Sequence, residues 1–167
     1  MCPGGYVVNA SSEEKRLAIN GMSNHSRDTK NANSAIVVTV TNNDFNGELF
    51  GGLEFQEELE KKAYELGKGK IPIQKLGDFY ENKKTVQLGE TEPIFKGSFE
   101  FANLNEILPD FVKIAIKEAF VDFDKKINGF GDKDAILAAI ETRTSSPIRI
   151  VRDDNGKSTV AGIYPAG

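Results

Sequence analysis

Apolar and polar positions alternate along this chain in several distinct rhythms, and each rhythm predicts a different element. The runs "GGYVVNAS" and "RLAINGMS" are β-branched and aromatic, with the charged "SEEKR" between them. Residues 6–10 and 16–22 are therefore expected to pair as a hairpin. In "SAIVVTVTNNDF" residues 35–41 are almost continuously apolar, which predicts a strand buried on both faces. The rhythm then changes. In "GGLEFQEELEKKAYELGKGK" Phe55, Leu59, Ala63 and Leu66 recur about every four positions among Glu and Lys. That is an amphipathic helix, closed by Gly67.

Ile73, Leu76, Phe79 and Tyr80 follow at helical spacing, and with Pro72 at the start they predict a second, shorter helix. "TVQLGETEPIFKGSFEFANL" reads as loop with weak extended structure around Phe95, Phe99 and Phe101. The clearest stripe lies in "LPDFVKIAIKEAFVDFDKKINGF", where Leu108, Phe111, Val112, Ala115, Ile116, Ala119, Phe120, Phe123 and Ile127 share one face. Pro109 and Asp110 suit its first turn and Lys125, Lys126 and Gly129 its end, so a long core helix is expected near 109–128. "DKDAILAAIETRTSSP" fits a short helix capped by Asp132 or Asp134, and equally a buried strand over 136–140. Asn155-Gly156 sits between two apolar runs and predicts a last hairpin, with strands over 148–152 and 158–164. The order of strands, helices and strands makes this an α+β domain, with mixed or antiparallel strands at both chain ends and two to four helices between them.

Composition narrows the function classes. The chain has 167 residues, the size of one domain, and 39% hydrophobic with 28% charged residues is a globular balance. With 25 acidic and 21 basic residues and no basic stripe, a nucleic-acid partner is not expected. No apolar run approaches a membrane span and no secretory signal is visible, so the expectation is a cytoplasmic protein with no membrane partner. A single cysteine, Cys2, forms no internal disulfide.

Candidate chemistry is sparse. His25 is the one histidine, so neither a His-rich metal site nor a Ser-His-Asp triad is assembled without it. "DFDKKING" fails as a calcium loop because Lys126 occupies a ligand position and the glycine is misplaced. No metal is expected. Neither G-x-G-x-x-G nor G-x-x-x-x-G-K-[ST] occurs, so the chain lacks a phosphate cradle of its own. Cys2 stands before the turn-forming Pro3-Gly4-Gly5, where a thiol is exposed, and is the one weak catalytic candidate. Two segments are denser in polar residues than packing requires. One carries Ser23, Arg27, Asp28, Asn31, Asn33 and Ser34; the other carries Arg143, Thr144, Ser145 and Ser146. Ordinary turn chemistry and a donor-rich ligand loop both account for them.

"MCPGGYVVNASSE", "NGMSNHSRD", "NANSA", "ETRTSSPIRI" and "GIYPAG", in that order, resemble the middle and late parts of the bacterial FAD-dependent dehydrogenases, often labelled NAD(FAD)-utilizing dehydrogenases. In that family a Rossmann unit lies upstream and a Gly-rich segment follows Y-P-x-G. The resemblance therefore implies a substrate-side portion of a larger two-domain flavoprotein. It implies FAD in the intact parent, NAD(P)H as a donor, and no cofactor held by this chain alone. It places Pro3, Gly4, Gly5, Arg143, Thr144, Ser145, Ser146, Tyr164, Pro165 and Gly167 near the cofactor. Arg27, Asp28, Asn31 and Asn33 are placed near a small-molecule substrate. The remainder of the parent would be the partner, and this piece alone would be inactive. A stand-alone α+β binding or interaction module without redox chemistry is the alternative.

Overall fold

A computed structural model describes residues 2–45, 47–143 and 149–166. The predicted first hairpin is present: β1 (Gly5–Asn9) and β2 (Ile19–Ser23) run antiparallel with Gly5 opposite Ser23 and Asn9 opposite Ile19. A short strand β4 (Phe95–Lys96) adds in parallel on the other side of β1, giving the order β2-β1-β4. The second sheet has the order β5-β3-β6, built from β3 (Ile71–Lys75), β5 (Phe99–Phe101) and β6 (Ile136–Ala138). β3 pairs in parallel with β5 and antiparallel with β6. Three α-helices among the described residues complete the α+β architecture: α1 (Gly51–Leu66), the short α2 (Leu76–Tyr80) and the long α3 (Asp110–Lys126).

One contiguous apolar cluster joins both sheets. Leu17 and Ile19 from the hairpin, Leu59 and Ala63 from α1, Ile71 and Ile73 from β3, and Leu76 and Phe79 from α2 meet Leu104, Ile107, Phe120, Ala139 and Ile140. Burying such side chains supplies the main driving force for the fold. β3 is its centre, with Ile71, Ile73 and Gln74 fully covered. Gln74 is tolerated there because each polar end is matched. Its Nε2 donates to the Lys83 carbonyl at 2.6 Å and to Asn103 Oδ1 at 3.2 Å, and its Oε1 accepts from the Leu104 amide at 2.8 Å. α2 and α3 are clasped reciprocally: the Tyr80 hydroxyl donates to the Lys117 carbonyl, and Lys117 Nζ donates to the Tyr80 carbonyl.

Four expectations need correction or resolution. The stretch 71–75 is a strand, and the helix begins only at Leu76. Pro72 suits a first helical turn and weakens a central ladder, but Ile71 and Ile73 are buried on β3, and tertiary packing outweighs the local preference. The open choice over 136–140 resolves as a strand at its start, β6. Residues 35–41 are not a buried strand: they pair with no strand, and Val37 is 66% exposed. The last hairpin forms its turn without its ladder. The Asp153 amide donates to the Lys157 carbonyl at 2.9 Å, yet no strand occurs among the described residues after β6, and Ile150, Val151, Val160, Ile163 and Tyr164 are exposed. Ile148 lies outside the described residues. α3 matches its predicted stripe, with Val112 and Phe120 buried, although Ile127 at its end is open to solvent. No helix among the described residues is long and apolar enough to cross a membrane.

Candidate functional site

The two sequence stretches that carry the resemblance at the N-terminal side meet at the open end of the β1–β2 hairpin. Cys2 and Asn33 exchange both backbone hydrogen bonds, at 2.7 and 3.0 Å, and the Gly5 amide donates to the Asn31 carbonyl at 2.7 Å. Residues 31–33 therefore lie along the chain that enters β1. Side chains lock the joint. Asn33 Nδ2 donates to the Tyr6 carbonyl at 3.1 Å and the Met22 carbonyl at 2.8 Å, bridging both strands. The Thr29 hydroxyl donates to the Gly5 carbonyl at 3.0 Å, and Asn31 Nδ2 donates to the Glu92 carbonyl at 2.7 Å.

The glycines make this closeness possible. Gly4 has φ +61°, and a Cβ there would lie 2.0 Å from the carbonyl carbon of Arg27. A Cβ on Gly5 would lie 2.4 Å from Asn33 Nδ2. Arg27, itself at φ +52°, packs its backbone on Gly4 and leaves its side chain exposed. Asp28 accepts a hydrogen bond from the Ser26 hydroxyl at 2.7 Å. Cys2 is a free, exposed thiol.

Arg143 is placed elsewhere, against α1. Its Nε and Nη2 reach the two carboxylate oxygens of Glu60, each at 2.9 Å, in a two-pronged pair. The Thr142 hydroxyl also donates to Glu60 Oε1 at 2.6 Å, and Arg143 Nη1 reaches the Ser12 hydroxyl at 2.5 Å. One helical turn earlier, Gln56 Nε2 donates to the Thr142 carbonyl at 2.7 Å. The Glu60 side chain is 3% exposed, and the Arg143 hydrogen bonds hold its carboxyl below the usual range against the opposing effect of burial. Neighbouring Glu141 has no such partner, and burial pushes its carboxyl up.

Of the expected site residues, the structure brings together Cys2, Pro3, Gly4, Gly5, Arg27, Asp28, Asn31 and Asn33. Arg143 sits by Ser12, near the turn end of the same hairpin. Tyr164 is exposed, and the Pro165 carbonyl accepts from Arg152 Nη1 at 2.8 Å. Thr144, Ser145, Ser146 and Gly167 lie outside the described residues. Glu60 went unread in the sequence because it sits among the Glu and Lys of α1, where a carboxylate reads as solvent-facing. The only signal was its spacing of four from Gln56 and its place beside Leu59. A cavity of about 370 Å³ near the hairpin turn is lined by residues including Asn9, Ser11, Glu13, Arg16 and Tyr64, and by none of the expected site residues. No group of three or more His, Cys, Asp or Glu able to hold a metal occurs among the described residues.

A flavin needs backbone and donors facing open space. Here the sides of Gly4 and Gly5 are filled by Arg27 and Asn33, and the Arg143 guanidinium faces Glu60. The joint is thus filled, and the Arg143 nitrogens are spent on Glu60 and Ser12 although the side chain is part-exposed, so the described residues by themselves do not fit the cofactor. A protein of Clostridium beijerinckii, described as an uncharacterized protein, is 51% identical over 171 aligned residues; the alignment covers this whole chain and 32% of that relative. The chain therefore spans about a third of the length of the curated relative it matches. The family model of the FAD-dependent protein, C-terminal domain-like, matches residues 1–144, and the chain belongs to that family.

Proposed function

We propose that this chain is the substrate-side, C-terminal scaffold of an FAD-dependent oxidoreductase, and that it carries no redox chemistry alone. The observation that supports this most directly is the family match over residues 1–144 of this chain, together with its alignment to about a third of a longer relative. When bound in the longer protein, FAD supplies the hydride chemistry, and the protein supplies binding and orientation. The part assigned to this chain is orientation. The Cys2–Asn33 joint fixes Pro3, Gly4 and Gly5 against the Arg27 backbone. The Glu60–Arg143 pair fixes the start of the "TRTSSP" segment against α1. In this reading the cofactor contacts come mainly from the rest of the longer protein, with Pro3, Gly4, Gly5 and the segment from Arg143 bordering the flavin, Arg27, Asp28, Asn31 and Asn33 bordering a small-molecule substrate, and NAD(P)H serving as donor.

The test is purification of two proteins, the isolated chain and the full-length Clostridium relative. The chain is expected to be folded by circular dichroism and colourless, and the relative to be yellow with FAD released on denaturation. A flavin absorbance band in the isolated chain, or a folded full-length relative that neither retains nor binds added FAD, would overturn the proposal.

A further inference from the structure

Residues 34–40 have the composition of a β-strand but no strand partner among the described residues. The segment "SAIVVTV" is uncharged and β-branched. Over 35–39 its side chains alternate as in a strand: Ile36 and Val38 are half-buried, with Ile36 against the core, while Ala35, Val37 and Thr39 face outward; Ser34 and Val40 at the two ends are exposed. Among the described residues none of its backbone amides or carbonyls makes a hydrogen bond. Residues 149–152, "RIVR", are likewise exposed and make no backbone hydrogen bond, and the backbone bonds of 153–163 are all local to that stretch. An open row of strand donors and acceptors with apolar side chains is an aggregation hazard that natural proteins cover.

We propose that residues 34–40 and 149–152 are strands of a sheet completed by the remainder of the longer polypeptide. Each segment leaves the body from a fixed point. Asn33 is held to the Tyr6 and Met22 carbonyls immediately before the first, and Arg143 is held to Glu60 and Ser12 before the second. These anchors lie toward opposite ends of the β1–β2 ladder, whose strands of five residues each span about 14 Å at the usual rise per residue. The occupant is argued from chain length: about two thirds of the Clostridium relative lies outside the region this chain matches. A segment tethered in the same polypeptide meets these strands at an effective concentration in the millimolar range, which a second copy in solution does not reach. Main-chain pairing would then satisfy the idle backbone groups, and the outward face of Val37 would be covered.

This inference rests on the part of the functional reading that makes the chain a portion of a longer protein, and not on the flavin. Hydrogen–deuterium exchange by mass spectrometry on the isolated chain and on the full-length relative tests it. In the isolated chain the amides of 34–40 and 149–152 are expected to exchange without protection. In the relative, at least alternate amides of the matching peptides are expected to slow by roughly 100-fold. A yellow relative whose matching peptides exchange as freely as in the isolated chain would overturn the inference and leave the flavoprotein reading standing. Protected peptides in a relative that binds no flavin would uphold it while removing that reading. Protection that appears in the isolated chain and rises with its concentration, alongside a dimer in sedimentation, would assign the strands to a second copy and overturn it.

Discussion

Removing Arg143 should harm this domain more than removing its partner Glu60, although the two share the same hydrogen bonds. The asymmetry follows from burial: the Glu60 side chain is 3% exposed and that of Arg143 is 39% exposed. In Glu60→Ala a small apolar group takes the buried place and the guanidinium turns to water. The loss is that of a charge-assisted pair, about 2 kcal/mol. In Arg143→Ala the carboxylate stays buried, with the Thr142 hydroxyl and the more distant charge of Arg16 left to hold it. An uncompensated buried charge costs about 3–5 kcal/mol. The double variant removes the stranded charge and should be no worse than Glu60→Ala, a coupling of about 3–5 kcal/mol, the whole cost of Arg143→Ala alone.

Urea unfolding followed by circular dichroism of α1 and α3 reads this directly. With an m-value of about 2 kcal/mol per molar, Arg143→Ala should lower the midpoint by about 1.5–2.5 M and Glu60→Ala by about 1 M. The pH dependence has opposite signs in the two proteins. In the native chain the Glu60 carboxyl lies below its ordinary value of 4.5 because Arg143 hydrogen-bonds it. Its contribution is complete above that value and is lost as pH falls through the depressed one. In Arg143→Ala burial raises the same carboxyl, so the folded state gains a proton first and the penalty shrinks as pH falls from 7 toward 4. Equal midpoints for the two single variants, additive losses in the double, or a gap that widens with acid would refute the argument.

Gly4→Ala forces a left-handed conformation on a side chain that meets the Arg27 carbonyl carbon at 2.0 Å, and should cost about 3 kcal/mol or more. Gly156→Ala, at φ +78° with nothing within 4 Å of its Cβ, should cost only about 1 kcal/mol. A thermal melt compares the two, and equal shifts would remove the role given to the Gly4–Arg27 contact. Phe79, 1% exposed at the centre of the shared core, should lose about 3–5 kcal/mol on change to Ala. A shift below about 1 kcal/mol in chemical denaturation would mean that the two sheets do not share that core.

The elements legible in the sequence are those whose pattern and environment agree. α1 and α3 bury one stripe each, and the first hairpin pairs two β-branched runs across a charged turn, so periodicity sufficed. β3 was obscured because Pro72 reads as a helix start while the full burial of Ile71 and Ile73, which no local pattern reports, makes a strand. Residues 35–41 and 149–164 carried strong strand signals and are unpaired for a different reason. Strand propensity describes a fit to neighbouring strands, and the described residues provide none for them. In the candidate site, the meeting of "CPGG" with "NAN" was approached through resemblance, whereas the buried Glu60 was invisible. A carboxylate one turn from Gln56 on a Glu-rich helix is marked as buried only by a partner more than 80 residues away.

The polar string from Arg27 to Asn33 looked uniform in the sequence, but the structure divides it, and the division selects the variant worth making. Asn33 is committed to the Tyr6 and Met22 carbonyls and Asn31 to the Glu92 carbonyl. Changing either tests the joint before it tests any ligand. Arg27 differs, because its backbone serves the joint while its exposed guanidinium makes no hydrogen bond or ion pair among the described residues. If the longer protein uses Arg27, Asp28, Asn31 and Asn33 to hold substrate, the uncommitted donors among these four are those of Arg27. The matching Arg27→Ala change, made in the longer protein, should then leave the melting temperature within about 1 °C, as for an exposed side chain without partners. It should raise KM about 10-fold, the equivalent of 1.4 kcal/mol, with kcat little changed, the pattern of a lost uniform binding contact. A fall in melting temperature with an unchanged KM would make Arg27 part of the joint instead, and would leave the polar string with a structural purpose throughout.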